Sequence, residues 1–319
     1  MRKYTSYILF ILCCLLIATN ILTITIAGKS ATQFENILKT NPYPLLDFSR
    51  NFHKQEDYIV NLTPLRAELT NFIKKNTTSN ISIYIEFLNT GSNISLSPDM
   101  RINPASLTKL PIAMIYMRKL ELGELQMNSE FAITPADRDS AWGDFYKVQA
   151  TTATLEELIT QALMYSDNTA HNILYRNITT QDANLFSEDI GLEDLFDKNG
   201  EITAKEYARI FRALYTSSYL QKEHSQYLLA LLAQSPYKNY LGSGISDDIV
   251  FSHKIGEKKA DKIFLDFGIV YLSKRQYLIS VLVKNIDTNT SPDTAKEQAL
   301  EIMEKISKTT FEYMQTAKH

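Results

Sequence analysis

Residues 104–114 read PASLTKLPIAM, and how this stretch is read decides the rest. Ser106 stands three residues ahead of Lys109, at the point where an apolar run through Ile112, Met114, Ile115 and Met117 begins. The 3.6-residue period places a hydroxyl and an ammonium three apart on one helix face. It also carries the lysine toward a buried environment, where burial disfavours its charged form. A lysine with a depressed pKa can take a proton from a neighbouring hydroxyl, which turns serine into a nucleophile. Alone, the same four residues also describe a serine at a helix start and a lysine reaching back to water.

Two further stretches raise the value of the first. Ser166, Asp167 and Asn168 follow an apolar run that ends at Tyr165, and a new one begins at Ala170. A second serine can relay a proton to a leaving group, and an asparagine amide can orient a substrate amide. Asp167 reads equally well as a helix cap. Lys254, Ile255 and Gly256 lie on an expected strand. There a lysine adds positive potential for a substrate carboxylate and depresses a neighbouring lysine further. A glycine lets a substrate backbone approach the strand edge.

Around these motifs, Leu62 to Lys75 is expected as an amphipathic helix with Leu65, Leu69, Phe72 and Ile73 on one side. Ile81, Ile83 and Ile85 alternate with polar residues, NTGSN (89–93) supplies a turn, and Ile94 and Leu96 complete a β-hairpin. The middle is helical. Leu155 to Tyr165 opens with Thr154 and Glu157 at capping-box spacing, and Ala204 to Tyr215 with Thr203 and Glu206. The end returns to strands at Ile249 to Gly256, Phe264 to Leu272 and Tyr277 to Ile286, separated by KKAD and SKRQ. A final helix runs from about Asp293 to Met314. Strands from both ends bracketing helices predict an α+β fold: an antiparallel sheet with flanking helices, plus an all-helical lobe.

The N-terminus points to export. Arg2 and Lys3 precede an uncharged stretch, Tyr7 to Ala27. As a helix it would span roughly 30 Å, the thickness of a bilayer core. It exceeds the usual apolar core of a cleaved signal, and no small-x-small site follows. An uncleaved signal anchor over 1–28 is therefore the favoured reading, with a secreted, cleaved form as the alternative. The positive flank puts the bulk of the chain outside a cell membrane crossed once. Residues 29–56 read as a linker and 57–319 as one domain. Both cysteines, Cys13 and Cys14, fall inside the span, so the exported part has no disulfide and no thiol nucleophile. Bulky Ile11 and Leu12 argue against lipid attachment at Cys13.

The chain has 319 residues, 45% hydrophobic and 22% charged, with a net charge of −3. Residues 1–30 carry three bases and no acid, so the remainder is more negative still, which argues against nucleic acid as a partner. His53, His171, His224, His253 and His319 lack metal-ligand spacing, so neither zinc chemistry nor any cofactor is expected.

Together and in this order, S-x-x-K, S-D-N and K-x-G resemble the serine β-lactamase and penicillin-binding protein superfamily. The resemblance covers about residues 60–315 and is closest to the class A β-lactamase-like branch. It implies Ser106 as the acylated nucleophile, Lys109 as its base and Ser166 as a proton shuttle. It implies Lys254 as the source of positive potential and Asn168 as the holder of a substrate amide. The oxyanion hole would be the backbone N–H groups of Ser106 and Glu257, next to Gly256. The substrate would be a D-Ala-D-Ala-type peptidoglycan segment or a β-lactam.

Two departures stand out. Ile255 takes the place of a threonine or serine that would hydrogen-bond a substrate carboxylate. The interval from Ser166 to Lys254 is also shorter than that branch usually has. Glu201 lies near the expected separation of a deacylating glutamate, but it reads E-I-T-A-K rather than E-x-x-L-N and sits just before the Thr203 cap. Acylation with slow deacylation is therefore expected. The alternatives are a true lactamase with an unconventional base and an idle binding protein that keeps the fold. Trp142, Phe145 and Tyr146, in DSAWGDFYKV (139–148), are expected as an aromatic wall over the cleft or as a loop anchor.

Overall fold

The computed structural model describes residues 45–46, 60–192, 195–196 and 200–316. The expected anchor at 1–28 and nearly all of the 29–56 linker lie outside them. Among the described residues, no helix is long and apolar enough to cross a membrane.

Helix α1 (Thr63–Lys75) starts with Pro64 in its first turn, where the missing N–H is harmless, and turns Leu65 and Leu69 inward. The expected hairpin forms from β1 (Ser79–Phe87) and β2 (Ser92–Leu96), with Ile83 opposite Leu96 and Ile85 opposite Ile94. A short 3₁₀ turn, Ala105–Thr108, feeds α2 (Lys109–Glu121). A small hairpin of β3 (Glu130–Ala132) and β4 (Thr152–Thr154) precedes five helices. These are α3 (Leu155–Met164), α4 (Asn168–Arg176), α5 (Thr180–Ile190), α6 (Ala204–Tyr215) and α7 (Lys222–Ala233). The chain then runs through β5 (Phe251–Lys258), β6 (Ile263–Val270) and β7 (Tyr277–Asn285) to α8 (Pro292–Thr316).

The five long strands form one antiparallel sheet in the order β2-β1-β7-β6-β5, which makes β5 an edge. N- and C-terminal strands share this sheet, helices flank it and further helices form a separate region, so the expected α+β architecture holds. Every residue of β6 is buried, as are all but one of β7. The pattern is that of strands covered on both faces rather than alternating strands. Helices α1 and α8 pack with β7 and β1 side chains in one apolar cluster, while α6 packs on β1, β6 and β7. Each fully buried Leu or Ile in such a cluster contributes about 1.5–3 kcal/mol.

Both predicted capping boxes form. The Thr154 and Thr203 hydroxyls accept from the N–H groups of Glu157 and Glu206, and each glutamate reaches back to its threonine N–H. A cap of this kind is worth about 1 kcal/mol. The strand β5 corrects the expected boundary by two residues at each end. The Tyr271 N–H pairs with the Val250 carbonyl outside the strand, and Glu257 and Lys258 pair with Phe264 and Ile263 before the chain turns. Glu257 is therefore a strand residue.

Candidate active site

Ser106 lies in the 3₁₀ turn and Lys109 is the first residue of α2, rather than both lying in one α-helix. A 3₁₀ turn has three residues per turn, so positions three apart eclipse. Lys109 Nζ accordingly sits 2.8 Å from Ser106 Oγ. The turn is held from three sides. Asn103 Oδ1 accepts from the Ala105 N–H at 3.0 Å, and Thr108 Oγ1 donates to the Ala105 carbonyl at 3.1 Å. The buried Tyr207 phenol of α6 donates to the Leu107 carbonyl at 2.7 Å. These contacts hold Ala105 at φ +48°, a left-handed conformation that a residue with a Cβ seldom adopts.

Ser166, Asp167 and Asn168 form the junction between α3 and α4, and Ser166 is left-handed at φ +55°. That twist turns both its carbonyl and its hydroxyl toward Lys109, at 2.7 and 3.5 Å from Nζ. Asn168 Oδ1 accepts from the same ammonium at 2.8 Å, which leaves the amide NH₂ free to donate. Asp167 takes the cap reading: Oδ1 accepts from the Ala170 N–H and Oδ2 from the Phe145 N–H. Its carboxylate lies so close to Gly143 that a Cβ there would fall 2.0 Å from Oδ2.

The edge strand supplies the third side. Lys254 Nζ donates to Ser166 Oγ at 2.8 Å and to the Ile255 carbonyl at 3.0 Å, so the hydroxyl of Ser166 stands between two lysines. The Val250–Tyr271 hydrogen bond fixes the alternation of the ladder. Lys254 and Gly256 bond to β6, while the N–H and C=O of Ile255 and Glu257 point to the open edge. At Gly256 the close approach is made by the nucleophile's own turn: an added Cβ would lie 3.0 Å from the Pro104 carbonyl oxygen and 3.1 Å from Leu107 Cγ. The Ile255 side chain is 2% exposed and belongs to the apolar cluster of Tyr240 and α8, so its carbonyl faces the site and its side chain is covered.

Burial lowers Lys109 to a pKa of about 7, against the opposing pull of Asp167 and Asp139. Burial also pushes Lys254 well below the usual lysine range, and repulsion from Lys109 adds to the shift. His171, unremarked in the sequence except as a non-ligand, lies with Nε2 3.4 Å from Thr108 Oγ1. Burial, followed by repulsion from Lys109, lowers it to about 3, so it is neutral. Two ammonium groups around one hydroxyl disfavour a second proton, so the pair of lysines favours holding a single proton between them.

The aromatic wall differs from the expected trio. The Trp142 indole N–H donates to the Tyr237 hydroxyl at 2.8 Å, with ring centroids 5.6 Å apart, and Tyr237 donates onward to the Tyr165 carbonyl. The Trp142 carbonyl accepts from the Asn168 N–H, which ties the wall to the site. Phe145 is a buried anchor beneath Asp167, and the Tyr146 carbonyl is clamped by Arg138. Glu201 is exposed, its carbonyl bound by Arg101, beside the Ile102–Ile202 bridge. Among the described residues, no carboxylate is within hydrogen-bond distance of Ser106 or Lys109. Residues 193–194 and 197–199, between α5 and α6, lie outside the described residues.

A family model described as the beta-lactamase enzyme family matches residues 64–314. No curated protein matches the chain. Among solved structures, PBP-A superposes with a TM-score of 0.70 at 17% identity, covering 81% of this chain and 99% of that one. A point mutant of PBP-A, described as the acyl-enzyme complex with penicillin G, gives 0.69 at 18%, covering 80% and 97%. A beta-lactamase from Sphaerobacter thermophilus gives 0.69 at 20%, covering 80% and 98%. At these identities the likeness speaks for the fold.

Proposed function

The chain belongs to the beta-lactamase enzyme family, and on that premise we propose that it is a serine hydrolase or transpeptidase acylated at Ser106. The observation that carries this reading is the 2.8 Å contact from Lys109 Nζ to Ser106 Oγ, with the amine held near pKa 7. A lysine lowered this far supplies a free base near neutral pH.

In the proposed reaction, Lys109 takes the Ser106 proton as the Oγ–C bond to a substrate carbonyl forms. The resulting oxyanion is held by the N–H groups of Ser106 and Glu257, and one such donor is worth about 3–4 kcal/mol in the transition state. The C–N bond of the lactam or peptide then breaks, and its nitrogen receives a proton from Ser166 Oγ. Ser166 regains its proton from Lys109, which stands 3.5 Å away. Lys254 holds Ser166 Oγ and supplies positive potential in its protonated form, and the free NH₂ of Asn168 donates to a substrate amide carbonyl. The substrate class is a D-Ala-D-Ala-type peptidoglycan segment or a β-lactam, met outside the membrane by a domain anchored through residues 7–27.

Hydrolysis of the ester needs an activated water as a separate requirement. Since no carboxylate reaches Ser106 among the described residues, the acyl-enzyme is expected to persist. The test is to incubate the protein with a fluorescent penicillin and follow its mass over time. A lasting adduct that Ser106→Ala abolishes supports the reading, and rapid turnover points to a true lactamase. The absence of any adduct at high concentration would leave only the idle binder, which the burial of Ile255 favours.

A further inference from the structure

With one proton between the two lysines, Lys109 is a free base only while Lys254 holds that proton. Burial disfavours it on either side chain. Asp167 and Asp139 draw it toward Lys109. The group that draws it toward Lys254 lies behind β5, on the face that Ile255 occupies.

There Asp266 of β6 stands directly opposite Ile255 in the ladder. The two form a non-hydrogen-bonded pair, in which facing Cα atoms lie about 4.5 Å apart. Lys254 is the next residue along and turns its side chain to the opposite face. The thickness of the sheet therefore separates carboxylate and ammonium. Asp266 is 0% exposed and Lys254 1%, so solvent does little to screen their attraction. That attraction opposes both burial and repulsion from Lys109, which push Lys254 down.

Asp266 is itself fixed by donors. The buried His253 imidazole faces it with Nδ1, 2.9 Å from Oδ1 and 3.1 Å from Oδ2. A carboxylate only accepts, so Nδ1 donates. The Leu241 N–H adds a contact to Oδ2 at 3.0 Å. The Phe251 ring stacks on the imidazole with centroids 4.4 Å apart. Gly268 makes room for both rings, since a Cβ there would fall 2.6 Å from His253 Cβ and from Phe251 Cε2. Tyr240 also lies within electrostatic reach of Asp266, and beyond it Glu257 and Lys296 of α8 match each other. On the other side of the strand, Lys254 meets Lys109 of α2 and the neutral His171 of α4, while Asp167 at the start of α4 acts on Lys109.

We propose that Asp266, oriented by His253, is a positioning residue that keeps the shared proton on Lys254 and so leaves Lys109 free to act as the base. The inference rests on acylation at Ser106. A carboxylate bonded directly to Lys254 would compete with Ser166 for the ammonium. One behind the strand biases the proton and leaves the ammonium in place.

The experiment follows acylation of the full-length protein by a fluorescent penicillin in stopped flow across about pH 6 to 10. The rate should level off once Lys109 is free and fall again where Lys254 loses its proton. Asp266→Asn keeps the shape and the acceptor for Leu241 but removes the charge. It should lower the plateau about tenfold and bring the alkaline fall about one pH unit lower. Asp266→Ser removes the same charge with a smaller side chain, and gives the same shift should the asparagine variant not fold. His253→Asn keeps a neutral donor toward Asp266 and should leave the alkaline fall within about 0.3 pH unit. Because the position of the fall is read within one sample, partial misfolding does not move it. A parent rate that stays level to the end of the range overturns the proposal. So does an Asp266 variant whose plateau is lower but ends at the parent pH, the mark of a merely structural residue. An alkaline fall that His253→Asn moves upward shows the Asp266 charge already cancelled by an imidazolium, and overturns it too. A protein that forms no adduct at any pH instead overturns the acylation reading, and this inference falls with it.

Discussion

Two buried polar clusters in this molecule are built on opposite plans. Around β1, Glu86 is 4% exposed and accepts a forked pair of bonds from the Arg212 guanidinium of α6, while Tyr84 donates to the same carboxylate at 2.8 Å. One anion faces one cation, and a phenol completes the set. Around Ser166, two lysines that are each about 2% exposed or less share a hydroxyl and three carbonyl oxygens, and neither hydrogen-bonds a carboxylate. A matched pair holds the fold, and removing one partner is strongly destabilising. An unmatched pair shifts pKa values, and shifted values near neutrality serve chemistry.

The sharpest way to break the contrast is Lys109→Met. We expect acylation by a fluorescent penicillin, followed by stopped flow, to fall about 10³-fold. The same variant should be more stable at neutral pH by about 1–3 kcal/mol in urea, because an apolar side chain replaces a buried amine. A variant that loses stability and keeps its rate would make the two clusters alike.

The reverse experiment is Arg212→Met, which strands Glu86. It should cost about 2–3 kcal/mol in the same urea measurement, below the fully buried range because Arg212 is partly exposed. Its acylation rate should stay within about twofold of the parent, since Arg212 lies outside the reacting cluster.

pH separates the clusters next. Acylation should rise with pH and level off above about 7, where Lys109 becomes a free amine. The sign for stability follows from linkage. Between about 7 and the ordinary lysine value of 10.5, the unfolded chain holds a proton that the folded chain has lost. Stability therefore increases with pH through that window, at up to about 1.4 kcal/mol per pH unit. Lys109→Met should show a shallower rise, since Lys254 remains buried with a lowered pKa, and equal slopes in urea titrations of the two proteins would contradict the assignment.

The smallest effect is expected at Tyr207→Phe, which deletes one bond to the nucleophile's turn. It should cost about 1 kcal/mol. Thermal melting measures this directly, and acylation should slow by less than about tenfold with an unchanged pH profile.

What could be read from the sequence followed local rules. The Thr154 and Thr203 boxes needed only a threonine and a glutamate three apart. The spacing of Ser106 and Lys109 placed their atoms together whether the turn was α or 3₁₀. The Thr179–Asp182 box of α5 obeys the same spacing with the shorter acid, and a search for glutamate alone passes it over. Helix α7, with its LLALLA run, is apolar on too many sides for one face to stand out. Long-range contacts left no local trace. Tyr207 meets the Leu107 carbonyl across 100 residues, and Trp142 meets Tyr237 across 95. Lys296 and Glu257 come together only once α8 lies against the sheet edge.

The gap at Gly143 has a consequence for how this protein can change over time. A methyl group at Gly143 would collide with Asp167, and its backbone at φ +84° already disfavours any other residue. Asp167 in turn cannot be exchanged freely, because it joins the N-terminus of α4 to the Trp142 loop through Ala170 and Phe145. A change at either position is therefore expected to need a compensating change at the other. A redesign of the Trp142 loop that keeps Asp167 must therefore keep Gly143 as well, so the entrance to the cleft offers less freedom than its exposed surface suggests.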